Sequence, residues 1–71
     1  MDLKDLRKWV DGYGLIFKVR YSKYVGCEVR VHKPGYSNPM ITVIEQDCTV
    51  ALSKVENLLI MKEIKGDLYV S

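Results

Sequence analysis

The chain has 71 residues, of which 48% are hydrophobic and 28% charged, and its formal net charge is +2. These values are typical of one folded domain, and they exclude both a disordered chain and a multidomain enzyme. No apolar run approaches the roughly 18 residues that cross a bilayer, and residues 1–7 lack the apolar core of a secretory signal. We therefore expect a single domain over residues 1–71, with no membrane contact and a cytoplasmic location.

The first element in chain order is a short helix between Asp2, a suitable N-cap, and Gly12, a C-terminal stop. Its apolar residues recur at helical spacing and are Leu3, Leu6, Trp9 and Val10. Because so short a helix is not stable alone in water, its apolar stripe has to dock on another element. We expect Trp9 to anchor the helix in the core.

Two strands follow at residues 14–21 and 25–32, joined by a turn. The apolar residues of one face are Phe17, Val19 and Tyr21 in the first strand and Cys27, Val29 and Val31 in the second. The opposite face carries Lys18 and Arg20, then Glu28, Arg30 and His32. Alternation with a period of two predicts a pair of half-buried antiparallel strands whose solvent face is positively charged.

A loop and a third strand come next. Residues 33–39 form the loop, in which Pro34 and Gly35 suit the central positions of a type II turn. Residues 40–45 are rich in β-branched side chains and predict a strand.

The last third of the chain has two interpretations. On a helical wheel of residues 50–64, Lys62 falls among the apolar residues and the polar residues scatter, which disfavours a helix. The strands that fit the pattern better lie at 49–52, 58–64 and 68–70, with a tight turn at 65–67. We favour these strands, and a helix over residues 50–64 is the alternative.

These elements predict an α+β domain that is mostly antiparallel β. An N-terminal helix is followed by five or six short strands, which close most economically into a small barrel or roll. In outline this order resembles the SH3-like and Sm-like small barrels. Because no motif is shared, the resemblance concerns architecture and implies no function.

Motifs for catalysis and metal binding are missing from the sequence. His32, the one histidine, is interpreted as a solvated strand residue. Cys27 and Cys48 are too few for a disulfide framework, so we expect Cys27 to be a buried thiol, with a disulfide as the alternative. We expect no catalytic residue, no metal site and no cofactor.

The positive charge is concentrated in one segment. Residues 18–33 carry five cations and one carboxylate, whereas residues 1–17 are neutral and residues 34–71 are net negative. The candidate nucleic-acid-binding residues are Lys18, Arg20, Lys23, Arg30, His32 and Lys33. Tyr24 and Tyr36 flank them, and cations beside aromatics suit single-stranded nucleic acid.

Protein recognition is the competing interpretation, and we favour it because the net charge is low for a nucleic-acid-binding domain. The candidate contact aromatics are Tyr24, Tyr36 and Tyr69, since tyrosine is enriched at binding hot spots. A terminal strand at residues 68–70 offers an edge for pairing with another sheet or a second copy. We thus expect a non-enzymatic binding or regulatory module with an unknown protein partner, of the kind found among phage and mobile-element accessory proteins. RNA or single-stranded DNA binding is the alternative.

Overall fold

Within residues 7–66 and residue 68, which the computed structural model describes, two helices flank a three-stranded antiparallel sheet. The elements are α1 (Arg7–Tyr13), β1 (Ile16–Ser22), β2 (Gly26–His32), β3 (Ile41–Glu45) and α2 (Cys48–Lys65). The strand order is β1-β2-β3, so β2 is the central strand. The three strands predicted first are confirmed to within two residues, whereas Asp2, Leu3 and Leu6 lie outside the described residues.

The register of the sheet gives it two chemically different faces. On the inner face, the cross-strand pairs are Phe17–Val31, Val19–Val29 and Tyr21–Cys27, and β3 adds Ile41 and Val43. On the outer face, the pairs are Lys18–Arg30 and Arg20–Glu28, and β3 adds Thr42 and Ile44. Helix α2 packs on the inner face, where its buried residues join those of β2 and β3 in one apolar cluster.

Helix α1 closes one end of this core. Trp9 is only 2% exposed, which confirms its predicted role as an anchor. Its ring stacks on Tyr13 with 6.0 Å between centroids. The Tyr13 hydroxyl donates a hydrogen bond of 2.5 Å to Glu63, and this bond joins α1 to the last turns of α2.

The predicted barrel of five or six strands is wrong. Residues 48–65 form one helix, α2, in place of the strands expected at 49–52 and 58–64. Of the predicted strand at 68–70, only Leu68 is described, as a buried residue in a turn. The described sheet therefore has three strands and remains open.

Both ends of α2 are capped by residues that favour a helix. The Asp47 side chain accepts a hydrogen bond of 2.7 Å from the backbone N–H of Thr49. Gly66, expected in a hairpin turn, is the C-cap with a φ of 77°, and its N–H bonds to the carbonyls of Glu63 and Lys62. These caps satisfy backbone groups that a helix end otherwise leaves without partners.

The two cysteines form a disulfide, so the expectation of a buried Cys27 thiol is wrong. Their Cα atoms lie 5.2 Å apart, within the usual range for a disulfide. The sheet register explains this proximity, because Cys27 lies opposite Glu45 on β3 and α2 begins shortly after Glu45. The bond fixes the start of α2 to the start of β2.

Candidate binding surface

The outer face of the sheet is open to solvent over most of its area. Lys18, Arg20, Arg30 and Thr42 are exposed there, as the alternating pattern predicts. Lys18 and Arg20 lie two residues apart in β1 and so share a face, and Arg30 lies directly opposite Lys18 on the same face. Three of the six predicted basic residues thus form a compact group in the middle of β1 and β2.

The charges of this group are only partly compensated. Lys18 lies directly opposite Arg30, and Arg20 lies directly opposite Glu28. Glu28 pairs with Arg30, with one of its oxygens 3.3 Å from Nε and the other 3.3 Å from Nη2. Among the described residues, neither Lys18 nor Arg20 forms an ion pair. The face therefore keeps two uncompensated cations.

A shallow depression lies at the hairpin end of the outer face. Its volume is about 370 Å³, and its lining residues are Arg20, Ser22, Val25, Gly26, Glu28 and Arg30. Two guanidinium groups and one carboxylate therefore border one concave area, which suits a ligand that carries carboxylates or other acceptors.

The apolar residues of the outer face are aliphatic. Ile16 and Ile44 are about half exposed on β1 and β3, and Val25 is similarly exposed in the hairpin turn. The strand positions of this face carry no Phe, Tyr or Trp. The surface can therefore bury aliphatic area but offers no aromatic platform on its strands.

The remaining basic residues lie apart from this group. Lys23 is in the hairpin turn, where its Nζ lies 5.4 Å from the centre of the exposed Tyr24 ring. Lys33 follows the other end of β2 and lines a second depression, of about 230 Å³, with Tyr36 and two other residues. Lys23 and Lys33 lie near opposite ends of β2, whose length is on the order of 20 Å. Tyr69 lies outside the described residues.

His32 is buried, so its interpretation as a solvated strand residue is wrong. It is 6% exposed, and its Nε2 has no hydrogen-bond partner among the described residues. The physical reason is its place on the central strand, where Ile16 of β1 lies directly opposite and the chain continues into the 33–40 loop. His32 does not contribute to the basic surface.

Sequence reasoning missed a second exposed area, on the inner face of β1. Val19 is 50% exposed and Tyr21 is 67% exposed, although the alternating pattern predicts that both are hidden. Helix α2 packs over β3 and β2 and leaves this half of β1 uncovered. No signal in the sequence indicates this exposure, because Val19 and Tyr21 follow the same alternating pattern as the buried residues of β2.

Among residues 7–66 and 68, no group of three or more His, Cys, Asp and Glu side chains is arranged to hold a metal ion. Neither described helix combines the length and the apolar character that crossing a bilayer requires. No protein-family model, curated protein or solved structure matches this chain.

Proposed function

We propose that this chain is a non-enzymatic binding module, and that its outer sheet face contacts a partner protein with acidic and apolar groups. The observation that carries the proposal is the pair of uncompensated cations, Lys18 and Arg20, on a face that also exposes Ile16 and Ile44. Such a mixture of aliphatic area and unpaired charge suits a protein surface of complementary charge.

The cation pair across β1 and β2 supports the same conclusion. Directly opposite residues have Cβ atoms about 4.5–5.5 Å apart, and like charges in that position destabilise a sheet. Lys18 and Arg30 occupy such a pair, and the single carboxylate nearby is engaged by Arg30. Carboxylates of a partner would relieve this repulsion, so binding recovers free energy that the isolated domain lacks.

Nucleic acid is the second candidate, and two observations favour it. Lys23 lies beside Tyr24 at one end of the sheet, and Lys33 lies beside Tyr36 at the other. Cations next to aromatic rings provide phosphate contacts and base stacking. We rank this candidate lower because the two ends lie far apart and because Glu28 stands between the central cations.

The disulfide bears on the location of the protein. Disulfides persist in oxidising compartments and are rare in the cytosol, where thiols are kept reduced. The cytoplasmic location remains a prediction from the sequence, and the Cys27–Cys48 bond favours an oxidising environment instead. Alkylation of free thiols in intact cells, followed by mass measurement, shows whether this bond is formed where the protein resides.

The proposal is tested by affinity capture from a lysate of the source organism. The immobilised baits are the wild-type chain and the double variant Lys18→Glu with Arg20→Glu. The control variant, Arg7→Glu with Lys65→Glu, changes the net charge equally at two exposed helix ends. One of its substitutions is at a helix N-terminus and the other at a C-terminus, so their effects on helix stability partly cancel.

We expect the wild-type chain and the control to retain the same protein, and the Lys18/Arg20 variant to lose it. Each capture is repeated after nuclease treatment. A retained species that disappears with nuclease supports the nucleic-acid candidate. Retention that is indifferent to Lys18 and Arg20 contradicts both candidates.

A further inference from the structure

β1 is an edge strand of the described sheet. β1 is seven residues long, and among the described strands it pairs with β2 on one side only. Along such an edge, every second residue directs its N–H and C=O groups away from the sheet. Its length of about 23 Å is enough to pair with a complete strand.

Among the described residues, neither face of β1 beside this edge has a covering layer at residues 18–21. On the outer face, Lys18 and Arg20 are exposed without ion-pair partners among the described residues. On the inner face, Val19 and Tyr21 are exposed because α2 packs over the other two strands. A strand added at the edge of β1 would place its own side chains beside all four.

We propose that β1 binds an extended segment of the partner protein as a fourth strand of the sheet. The partner segment alternates carboxylate and apolar side chains, so that its carboxylates face Lys18 and Arg20 while its apolar residues cover Val19 and Tyr21. Backbone hydrogen bonds provide affinity in this mode, and the alternating side chains provide specificity. The inference rests on the proposed function and names the chemistry of its partner.

A second copy of the chain is a poor occupant of this edge. In every antiparallel register that pairs most of β1 with itself and keeps the inner faces together, Lys18 or Arg20 of one copy lies opposite a cation of the other. Like charges in directly opposite positions are destabilising. Charge complementarity therefore selects an acidic segment over self-pairing.

The test uses two short synthetic peptides, one alternating glutamate with valine and one alternating lysine with valine. A third peptide contains the same residues as the first, with glutamates and valines in separate blocks. Binding is measured by titration, and amide hydrogen exchange is followed by NMR on the full chain. The variants are Lys18→Glu with Arg20→Glu, and the Arg7→Glu with Lys65→Glu control.

We expect the alternating glutamate peptide to bind, and to slow exchange at the β1 amides that face away from β2. The Lys18/Arg20 variant should lose at least about tenfold in affinity for this peptide and gain affinity for the lysine peptide, because both opposite-charge pairs are inverted. The control variant should bind as the wild type does.

Two results would overturn the inference. One is equal binding of the alternating and block peptides, or no binding of the alternating glutamate peptide at millimolar concentration. The other is binding that perturbs Arg30 and Ile44 without protecting the β1 amides, which places the contact on the outer face alone. The lysate capture decides the proposed function separately, so that function can stand when strand addition fails.

Discussion

Strands β1 and β2 have the same alternating pattern, but two inner-face residues of β1 are exposed, whereas the residues opposite them in β2 are buried. Val19 of β1 is 50% exposed, whereas Val29, its cross-strand partner on β2, is fully buried. Tyr21 is 67% exposed, whereas Cys27 opposite it is fully buried. The difference arises because α2 covers the central strand and β3, and the disulfide fixes α2 in that position.

Alternation in a strand predicts the face on which a residue lies but not whether the residue is buried. Side-chain parity in a strand follows from backbone geometry alone, so a pattern of period two is enough to assign faces. Burial also depends on what packs above the strand. Within the described part of the chain, the exposed strand is also an edge strand, and this coincidence makes β1 the candidate for contact with a partner.

The largest expected effect comes from removing the disulfide that joins β2 to α2. Reducing the Cys27–Cys48 bond should lower the free energy of unfolding by about 3 kcal/mol. Without the bond, the unfolded chain gains conformational entropy, because two residues 21 positions apart are no longer linked. Urea unfolding with and without reductant measures the change. Tyr21→Ala, on the opposite position of β1, should cost less than about 0.5 kcal/mol. Equal losses of unfolding free energy from the two changes would contradict the difference in burial between β1 and β2.

An effect of about the same size concerns Gly26, at the start of β2. Its φ is 96°, and a Cβ placed there would lie 2.5 Å from the Glu45 carbonyl oxygen. Gly26→Ala should therefore cost about 3 kcal/mol, from backbone strain and steric overlap together. Gly35 provides the control, since its φ of 83° is similar but a Cβ there meets nothing within 4 Å. Gly35→Ala should cost about 1 kcal/mol, and thermal unfolding of both variants checks the ranking.

A smaller effect is expected when the same substitution is made at a buried and at an exposed valine. Val29→Ala should cost about 2 kcal/mol, because it removes two methyl groups from a closed core. Val19→Ala removes the same atoms from an exposed position and should cost less than about 0.5 kcal/mol. Chemical denaturation of the two variants gives the difference directly. Similar values would show that a layer covers β1 in solution.

The smallest effect is a gain in stability from a change that weakens binding. Lys18→Glu replaces a like-charge pair with Arg30 by an opposite-charge pair, so it should stabilise the domain by about 0.5 kcal/mol. High salt should reduce this gain by screening. The same substitution should weaken capture of the partner. Loss of stability on this substitution would remove the argument that the Lys18–Arg30 repulsion favours binding.

Much of the sheet could be predicted from the sequence, because strand parity and turn chemistry are local. The type II turn at Pro34 and Gly35 is confirmed by the Gly35 φ of 83° and by the hydrogen bond from the Tyr36 N–H to the Lys33 carbonyl. The common face of Lys18 and Arg20 follows from parity alone. These features need no knowledge of distant parts of the chain.

Helix α2 corresponds to the less favoured of the two sequence interpretations, because its apolar residues do not form one stripe. Its buried residues, Ala51, Val55 and Leu59, lie four apart, but Ile60 and Ile64 are apolar and exposed. Lys62 interrupts the apolar side of the helical wheel, but it lies half-buried in the last turn, where the helix dipole favours a cation. The capping residues at the two ends were the stronger signal.

The disulfide and the burial of His32 depend on tertiary packing. No spacing rule brings Cys27 to Cys48, because the register of β3 and the start of α2 place them together. His32 has the parity of a solvent-facing residue, and its burial depends on its place on the central strand, opposite Ile16 and next to the 33–40 loop. Such features are consequences of the assembled fold and not of the local sequence.

Amide hydrogen exchange of the isolated wild-type chain, followed by NMR, tests whether the edge of β1 is free in solution. We expect slow and fast amides to alternate along β1, since only every second residue bonds to β2, while the amides of β2 that bond to either neighbour all exchange slowly. Uniformly slow exchange along β1, at concentrations where the chain sediments as a monomer, would show that the edge is already covered and would contradict a free strand that binds a partner.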